Sequence, residues 1–225
     1  MNDKDSNIVI ALDGPVGCGK STVAKAVAKK LGFMYLDTGA MYRALTLKAI
    51  KENLNLEDEQ ALTRLSKNVD IRLKMQDDTL KVFLDGADVS EQIRTPELTN
   101  KVFFVAKLKG VRANMVDLQR KVASQNNCVV EGRDIGTVVF PDAFAKFYLD
   151  ADVEVRAQRR FKELTQKGTK TTMERVLQET KIRDNKDTTR KVAPLLKAKD
   201  AIYIDTTGLT VDEAVNKALE HVKIK

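Results

Sequence analysis

ALDGPVGCGKST, residues 11–22, decides the fold. Gly14, four further residues, then Gly19, Lys20 and Ser21 make a glycine-rich phosphate loop, preceded by the apolar run IVIAL and followed by a helical periodicity. In that setting consecutive backbone N–H groups turn inward on phosphate oxygens at a helix N-terminus, and Lys20 bridges the outer phosphates. The Ser21 hydroxyl suits magnesium carried on them. A nucleoside triphosphate is the expected ligand. Cys18 sits among those amides and has two readings, a small filler or a thiol whose pKa Lys20 depresses and that nucleotide would shield.

Outward from the loop, short apolar runs recur between longer helical patterns: IVIAL at 8–12, FMYL at 33–36, CVV at 128–130, KFYL at 146–149 and AIYI at 201–204. Strands alternating with helices predict an α/β fold, a five-stranded parallel sheet with helices on both faces. The first helix is expected from Lys20 to Leu31, with Val23, Val27 and Leu31 on one stripe and Gly32 as its cap. The last helix opens with Thr210 and Glu213 as a capping box and carries Val215, Ala218, Leu219 and Val222 inward.

The middle of the chain changes period. Val69, Ile71 and Leu73 alternate with polar residues, as do Leu80, Val82 and Leu84, before the turn pair Asp85 and Gly86. These predict a small antiparallel insert. Thr95 and Pro96 mark a helix start, and a further helix is expected to bury Val111, Met115, Leu118 and Val122. The basic stretch RAQRRFKELTQKG, 156–168, is helical with Ala157, Phe161 and Leu164 inward. A charge run is ordinarily a solvated face; following the fourth strand at the ligand-binding end of an open sheet, this one is expected to be a short helical lid.

Composition narrows the ligand. With 225 residues, 43% hydrophobic and 32% charged, the chain can bury one sizeable core. No apolar run reaches the roughly 20 residues of a membrane span, and the start MNDKDSN lacks a secretory pattern; the cytoplasm is the expected location. Cys18 and Cys128 offer neither zinc spacing nor a disulfide framework, and the one histidine, His221, cannot build a triad. A net charge of +7 favours anions, while the absence of Trp leaves little stacking surface for nucleic acid. Small phosphorylated ligands gain weight.

The stretch CVVEGRDIGTVVF, 128–140, ends an apolar strand in Glu131, Arg133 and Asp134. Arginines are also concentrated at expected loop and helix ends, at Arg43, Arg112, Arg183 and Arg190, which suits a phosphoryl-accepting anion. NKDT at 185–188 has Thr188 where a guanine-reading signature needs aspartate, which weakens a switch GTPase. A shikimate kinase would show Asp-x-Asp at the second strand, whereas Asp37 is followed by Thr38 and Gly39.

Taken in order, GPVGCGKST, YLDTGAMYR at 35–43, VR and QR within 111–120, EGRDIGTVVFPDA at 131–143 and IRDNKDTTR at 182–190 resemble the bacterial cytidylate kinases, P-loop nucleoside monophosphate kinases, over nearly the whole chain. The resemblance implies ATP-dependent phosphorylation of CMP, and of dCMP, with magnesium. It implies a core of 1–37, 126–155 and 184–225, a monophosphate-binding region with the β insert at 38–125, and a lid at 156–183. ATP would lie on Gly14, Pro15, Val16, Gly17, Cys18, Gly19, Lys20, Ser21 and Thr22, with Arg156 and Arg159 from the lid and Ser21 toward magnesium.

For the acceptor, the resemblance places Arg43 and Arg133 on the CMP phosphate, Thr38, Arg112 and Asp134 on the cytosine edge, and Arg183 with Asp187 near the ribose. Arg190 reaches toward base or phosphate. Thr38 stands where that family commonly has serine, and keeps the hydroxyl. Lys20, Arg43, Arg133 and Arg160 would carry catalysis, neutralising charge on the transferring group. Glu131 either orients Arg133 or is simply a charged strand end. A monomer acting on small substrates, with neither nucleic acid nor membrane as partner, is the expectation. The alternatives are a P-loop kinase for another small acceptor and a nucleotide-regulated RNA-binding protein using the basic helix.

Overall fold

The computed structural model describes residues 7–77 and 79–223; residues 1–6 of the polar start lie outside them. Strand β1, Val9–Asp13, leads through the phosphate loop into helix α1, Lys20–Leu31, and β2, Met34–Asp37, follows. The chain then forms α2 (Thr38–Lys51), α3 (Glu59–Asn68), β3 (Ile71–Gln76), β4 (Thr79–Leu84), the short β5 (Ala87–Asp88), a 3-10 turn at Gln92–Arg94, α4 (Pro96–Ala106) and α5 (Lys109–Ala123). It continues with β6 (Cys128–Gly132), a π-helix at Ile135–Val139, β7 (Ala145–Asp150), α6 (Val153–Gln166), α7 (Met173–Thr189), β8 (Ile202–Asp205) and α8 (Val211–Glu220).

Two compact units result, one of Met1–Tyr35 with Asn126–Lys225, the other of Leu36–Gln125. The five-stranded sheet runs β2-β6-β1-β7-β8, with β1 pairing parallel to both β6 and β7, and β7 to β8. Every residue of β6 is buried, and all but the first of β1, so both faces of the sheet's centre are covered, as a parallel sheet requires. Ile10, Leu12, Phe147 and Leu149 are fully buried there. Each such side chain contributes about 1.5–3 kcal/mol relative to exposure. Gly32 ends α1 in the left-handed conformation, and Thr210 with Glu213 forms the expected reciprocal cap of α8.

The second unit holds the antiparallel sheet β3-β4-β5. Leu80, Val82 and Leu84 point inward along β4, and the turn to β5 puts both Asp85 and Gly86 at positive φ, the geometry that matches strand twist in a two-residue hairpin. Thr95 caps α4 with Pro96 in its first turn. Helix α5 departs from expectation. It buries Val111, Arg112, Met115, Val116, Gln119 and Ala123, while Leu118 and Val122 are half-buried. The inward face is rotated because two polar residues, Arg112 and Gln119, belong to it, and apolar periodicity alone assigns them outside.

Further differences concern the ends of elements. Strand β6 continues through Glu131 and Gly132 and gives way to a π-helix rather than an ordinary turn. Arg43 and Arg183 lie inside α2 and α7, not at loop or helix ends. Among the described residues, no helix is long and apolar enough to cross a membrane.

Candidate active site

The phosphate loop follows Asp13, the last residue of β1, and Gly19 begins α1 with no side-chain cap. The helix N-terminus therefore presents backbone N–H groups and its dipole to an anion. Gly17 has φ 78°, and a Cβ there would stand 2.8 Å from the Arg156 carbonyl oxygen, so the loop lies directly against the start of α6. Lys20 is buried, and its Nζ donates to the Pro15 carbonyl at 3.0 Å. Burial lowers its pKa, and the Arg133 guanidinium lowers it further. Ser21 and Thr22 are exposed in the first turn. No cluster of three or more His, Cys, Asp or Glu able to hold a metal occurs among the described residues.

Two arginines expected on ATP are tied to the protein around this loop. The Arg156 guanidinium is buried and donates to Val16 O at 3.2 Å, Ala151 O at 2.8 Å and Asp184 Oδ2 at 2.6 Å, joining the loop to both α6 and α7. Arg159 donates to the Thr206 hydroxyl and carbonyl, and the Thr206 hydroxyl donates to Cys18 O at 2.9 Å. Arg160, on the same helix, pairs with Glu163 at 2.8 Å. Helices α6 and α7 share a small core of Ala157, Leu164 and Val176, with Phe161, Met173 and Leu177 against it. Cys18 is fully buried, as the filler reading requires.

Beside β1, the end of β6 gathers the other charges. Glu131 is 3% exposed and accepts from the Tyr35 hydroxyl at 2.9 Å, and its charge also acts on Arg133 and Lys20. Arg133 donates Nε to Asp187 Oδ2 at 2.7 Å and Nη1 to Gly132 O at 3.3 Å. Arg190, the C-cap of α7, pairs with Asp134 at 3.3 Å. Burial disfavours both charges of the Arg133–Asp187 pair, but their mutual attraction outweighs it: the carboxyl pKa is lowered and the guanidinium pKa raised. Arg183 and Arg190 act on Asp187 in the same sense. Arg133, Asp134, Arg183, Asp187 and Arg190 thus form one alternating cluster.

In the second unit, Asp37 ends β2 and caps α2, accepting from Ala40 N at 2.8 Å through Oδ1 and from Arg43 Nη2 at 2.9 Å through Oδ2. Arg43 Nε is buried and makes no hydrogen bond within the described residues, a donor left for an anion. Thr38 is the buried first residue of α2. Arg112 is buried, with its guanidinium 5.6 Å from the centre of the Tyr42 ring and donating to Ala106 O. A flat cation held by an aromatic face is pre-oriented for a planar polar edge.

Sequence reasoning missed Asp13, Tyr35, Asp37, Asp184 and Thr206. One signal was available for two of them: VIALD and MYLD are apolar strands that close on aspartate, as AKFYLD and IYID also do. The partners of Tyr35, Asp184 and Thr206 are distant in sequence and left no local mark.

A family model described as cytidylate kinase matches residues 10–224. The cytidylate kinase of Caldanaerobacter subterraneus subsp. tengcongensis is 52% identical over 216 residues, covering 96% of this chain and 95% of that protein. The cytidylate kinase of Clostridioides difficile is 47% identical over 218 residues, covering 97% and 99% respectively. A solved structure of an uncharacterized protein from Eubacterium ventriosum aligns with a TM-score of 0.53 at 14% identity, covering 96% of this chain and 98% of that one, a likeness of fold alone.

Proposed function

The chain belongs to the cytidylate kinase family, and from that premise we propose how its residues bind and align the two nucleotides. It is a P-loop kinase that phosphorylates CMP with ATP. In our reading, ATP phosphates occupy the loop from Gly14 to Thr22 with Lys20 on the outer phosphates. Magnesium on those phosphates would be met by Ser21 and would neutralise part of their charge. Arg43 and Arg133 take the CMP phosphate. Thr38, Arg112 and Asp134 take the cytosine edge, and Arg183 with Asp187 the ribose, with dCMP as a second acceptor. Arg190 pairs with Asp134 and orients it.

The attacking group is a phosphate oxygen whose second pKa is about 6, so it is already ionised near neutrality and needs no general base. What remains is alignment and neutralisation, supplied by Lys20, Arg43 and Arg133, with Arg160 added as residues 156–183 close over the donor and exclude water. Cytosine presents an amino donor at N4, which a carboxylate accepts; uracil presents a carbonyl there, which leaves two acceptors facing.

The observation that carries this reading is the Asp134–Arg190 pair beside Arg133–Asp187, a carboxylate fixed by a guanidinium at the edge of β6. We read the enzyme as monomeric and cytosolic. The test is ADP release from ATP and magnesium with each monophosphate in turn. CMP should stimulate it most, and UMP, AMP and GMP little. A chain that releases ADP equally with CMP and UMP does not read the base through Asp134.

A further inference from the structure

Asp13 has no part in the chemistry above, yet it is 4% exposed and both its carboxylate oxygens are in use. Oδ1 accepts the Ile135 N–H at 2.8 Å and Oδ2 the Gly136 N–H at 2.7 Å. These are the first two amides of the π-helix that follows Arg133 and Asp134, and Asp134 gives that helix no side-chain cap. The missing cap comes instead from the neighbouring strand. Asp13 stands opposite Gly132 in the β1–β6 register and immediately precedes the first glycine of the phosphate loop. One side chain therefore links the segment that holds the donor phosphates to the segment that carries Arg133 and Asp134. A helix start fixed at two consecutive amides leaves the two preceding residues little freedom.

We propose that Asp13 is a positioning residue for the acceptor, its carboxylate clamping the Ile135 and Gly136 amides so that Arg133 and Asp134 are held in register with the phosphate loop. The proposal rests on the acceptor roles given above to Arg133 and Asp134. It adds a pH dependence. Burial raises the Asp13 carboxyl to about 7 against the two amides, which lower it; Asp134 raises it and Arg133 lowers it. From β7, Tyr148 is its register partner and Lys146 runs beside Gly136. The ionised form accepts both amides fully, whereas protonation turns one oxygen into a hydroxyl and weakens the clamp. Acceptor binding should loosen as pH falls through neutrality, above the titration of the CMP phosphate itself.

Asp13→Asn keeps the shape but sets an NH2 against a backbone N–H. It should lower kcat/KM for CMP about tenfold or more and leave KM for ATP within about twofold. The limb near neutrality in the pH profile of kcat/KM for CMP should vanish. Equal losses for both substrates, or no loss, would overturn the proposal. If the variant does not fold, the wild-type protein decides by amide NMR without substrate: Ile135 and Gly136 should titrate together near neutrality, and flat shifts overturn the clamp. That readout also separates the two ideas, because Asp134→Ala with an unchanged CMP to UMP ratio removes the acceptor reading and leaves the amide titration standing.

Discussion

Asp134→Asn offers the most demanding trial of base recognition, because it changes one atom in a site where the partners constrain the outcome. Asp134 Oδ1 already accepts from Arg190 Nη2 at 3.3 Å, both side chains being nearly buried. In the proposed reading the carboxylate also accepts the cytosine amino group, whereas an amide has only one acceptor oxygen. Arg190 cannot accept a hydrogen bond, so it claims that oxygen and turns the NH2 toward the base. The amino group of cytosine then meets a donor, while the uracil carbonyl meets one it can use. One mismatched polar contact in a closed site costs about 1–3 kcal/mol, so losing the CMP contact and gaining a UMP contact together shift the ratio by about 2–4 kcal/mol, roughly 30- to 1000-fold. Initial rates of ADP release with CMP and UMP over a range of concentrations give both kcat/KM values. Asp134→Ala, which removes the carboxylate without supplying a donor, should narrow the ratio but not approach inversion. It should also destabilise more, by about 3 kcal/mol, since it leaves the Arg190 charge without this buried partner. A CMP to UMP ratio that moves less than about threefold in the Asn variant, with the fold intact, would refute the reasoning.

Other outcomes follow from the same geometry. Gly17→Ala forces a side chain against the Arg156 carbonyl at positive φ and should raise KM for ATP about tenfold or more with a smaller effect on CMP, read by steady-state kinetics. Arg156→Met strands the Asp184 carboxylate and frees the Val16 carbonyl; urea unfolding should show a loss of about 3 kcal/mol and nucleotide titration a weaker ATP affinity. For Asp13, the raised carboxyl means that the folded chain keeps a proton that the unfolded chain releases above about pH 4. Its stabilising contribution is whole below that pH and is lost as pH rises through about 7, so the stability gap between wild type and Asp13→Asn should shrink from about pH 5 to about pH 8. A constant gap across that range contradicts the assignment.

What the sequence made legible was whatever its own neighbourhood determines. The five strands, the span of α1 from Lys20 to Leu31, the Asp85–Gly86 turn and the Thr210–Glu213 cap all depend on residues within one turn or hairpin of each other. The roles of the charged residues did not have that property. Arg156, Arg159 and Arg160 lie in one basic stretch, yet Arg156 reaches Val16 and Asp184 as well as the nearby Ala151, Arg159 reaches Thr206, and Arg160 pairs with Glu163. The Val16, Asp184 and Thr206 partners are distant in sequence. Helix α5 shows the same limit in reverse: Arg112 is buried beside Tyr42, a position that hydrophobic periodicity gives to an apolar residue.

In the five-stranded sheet, the four strands that end in aspartate show why a carboxylate at a sheet's C-terminal edge is weak evidence of chemistry by itself. Asp37 caps α2 and pairs with Arg43, Asp150 accepts the Ala151 amide, and Asp205 accepts the Thr207 amide. Each satisfies a chain that has just left the sheet and lost its ladder partners, a need that any loop at that edge shares. Asp13 differs in one respect: its amides belong to another segment, 122 and 123 residues away in sequence. A carboxylate spent on a local amide stabilises a turn, and removing it should move stability alone. One spent across the sheet couples two segments, and removing it should move the affinity for whatever the distant segment binds. The split between CMP and ATP parameters in Asp13→Asn, set beside the same substitution at Asp205, where both parameters should hold, separates these two uses of one residue type.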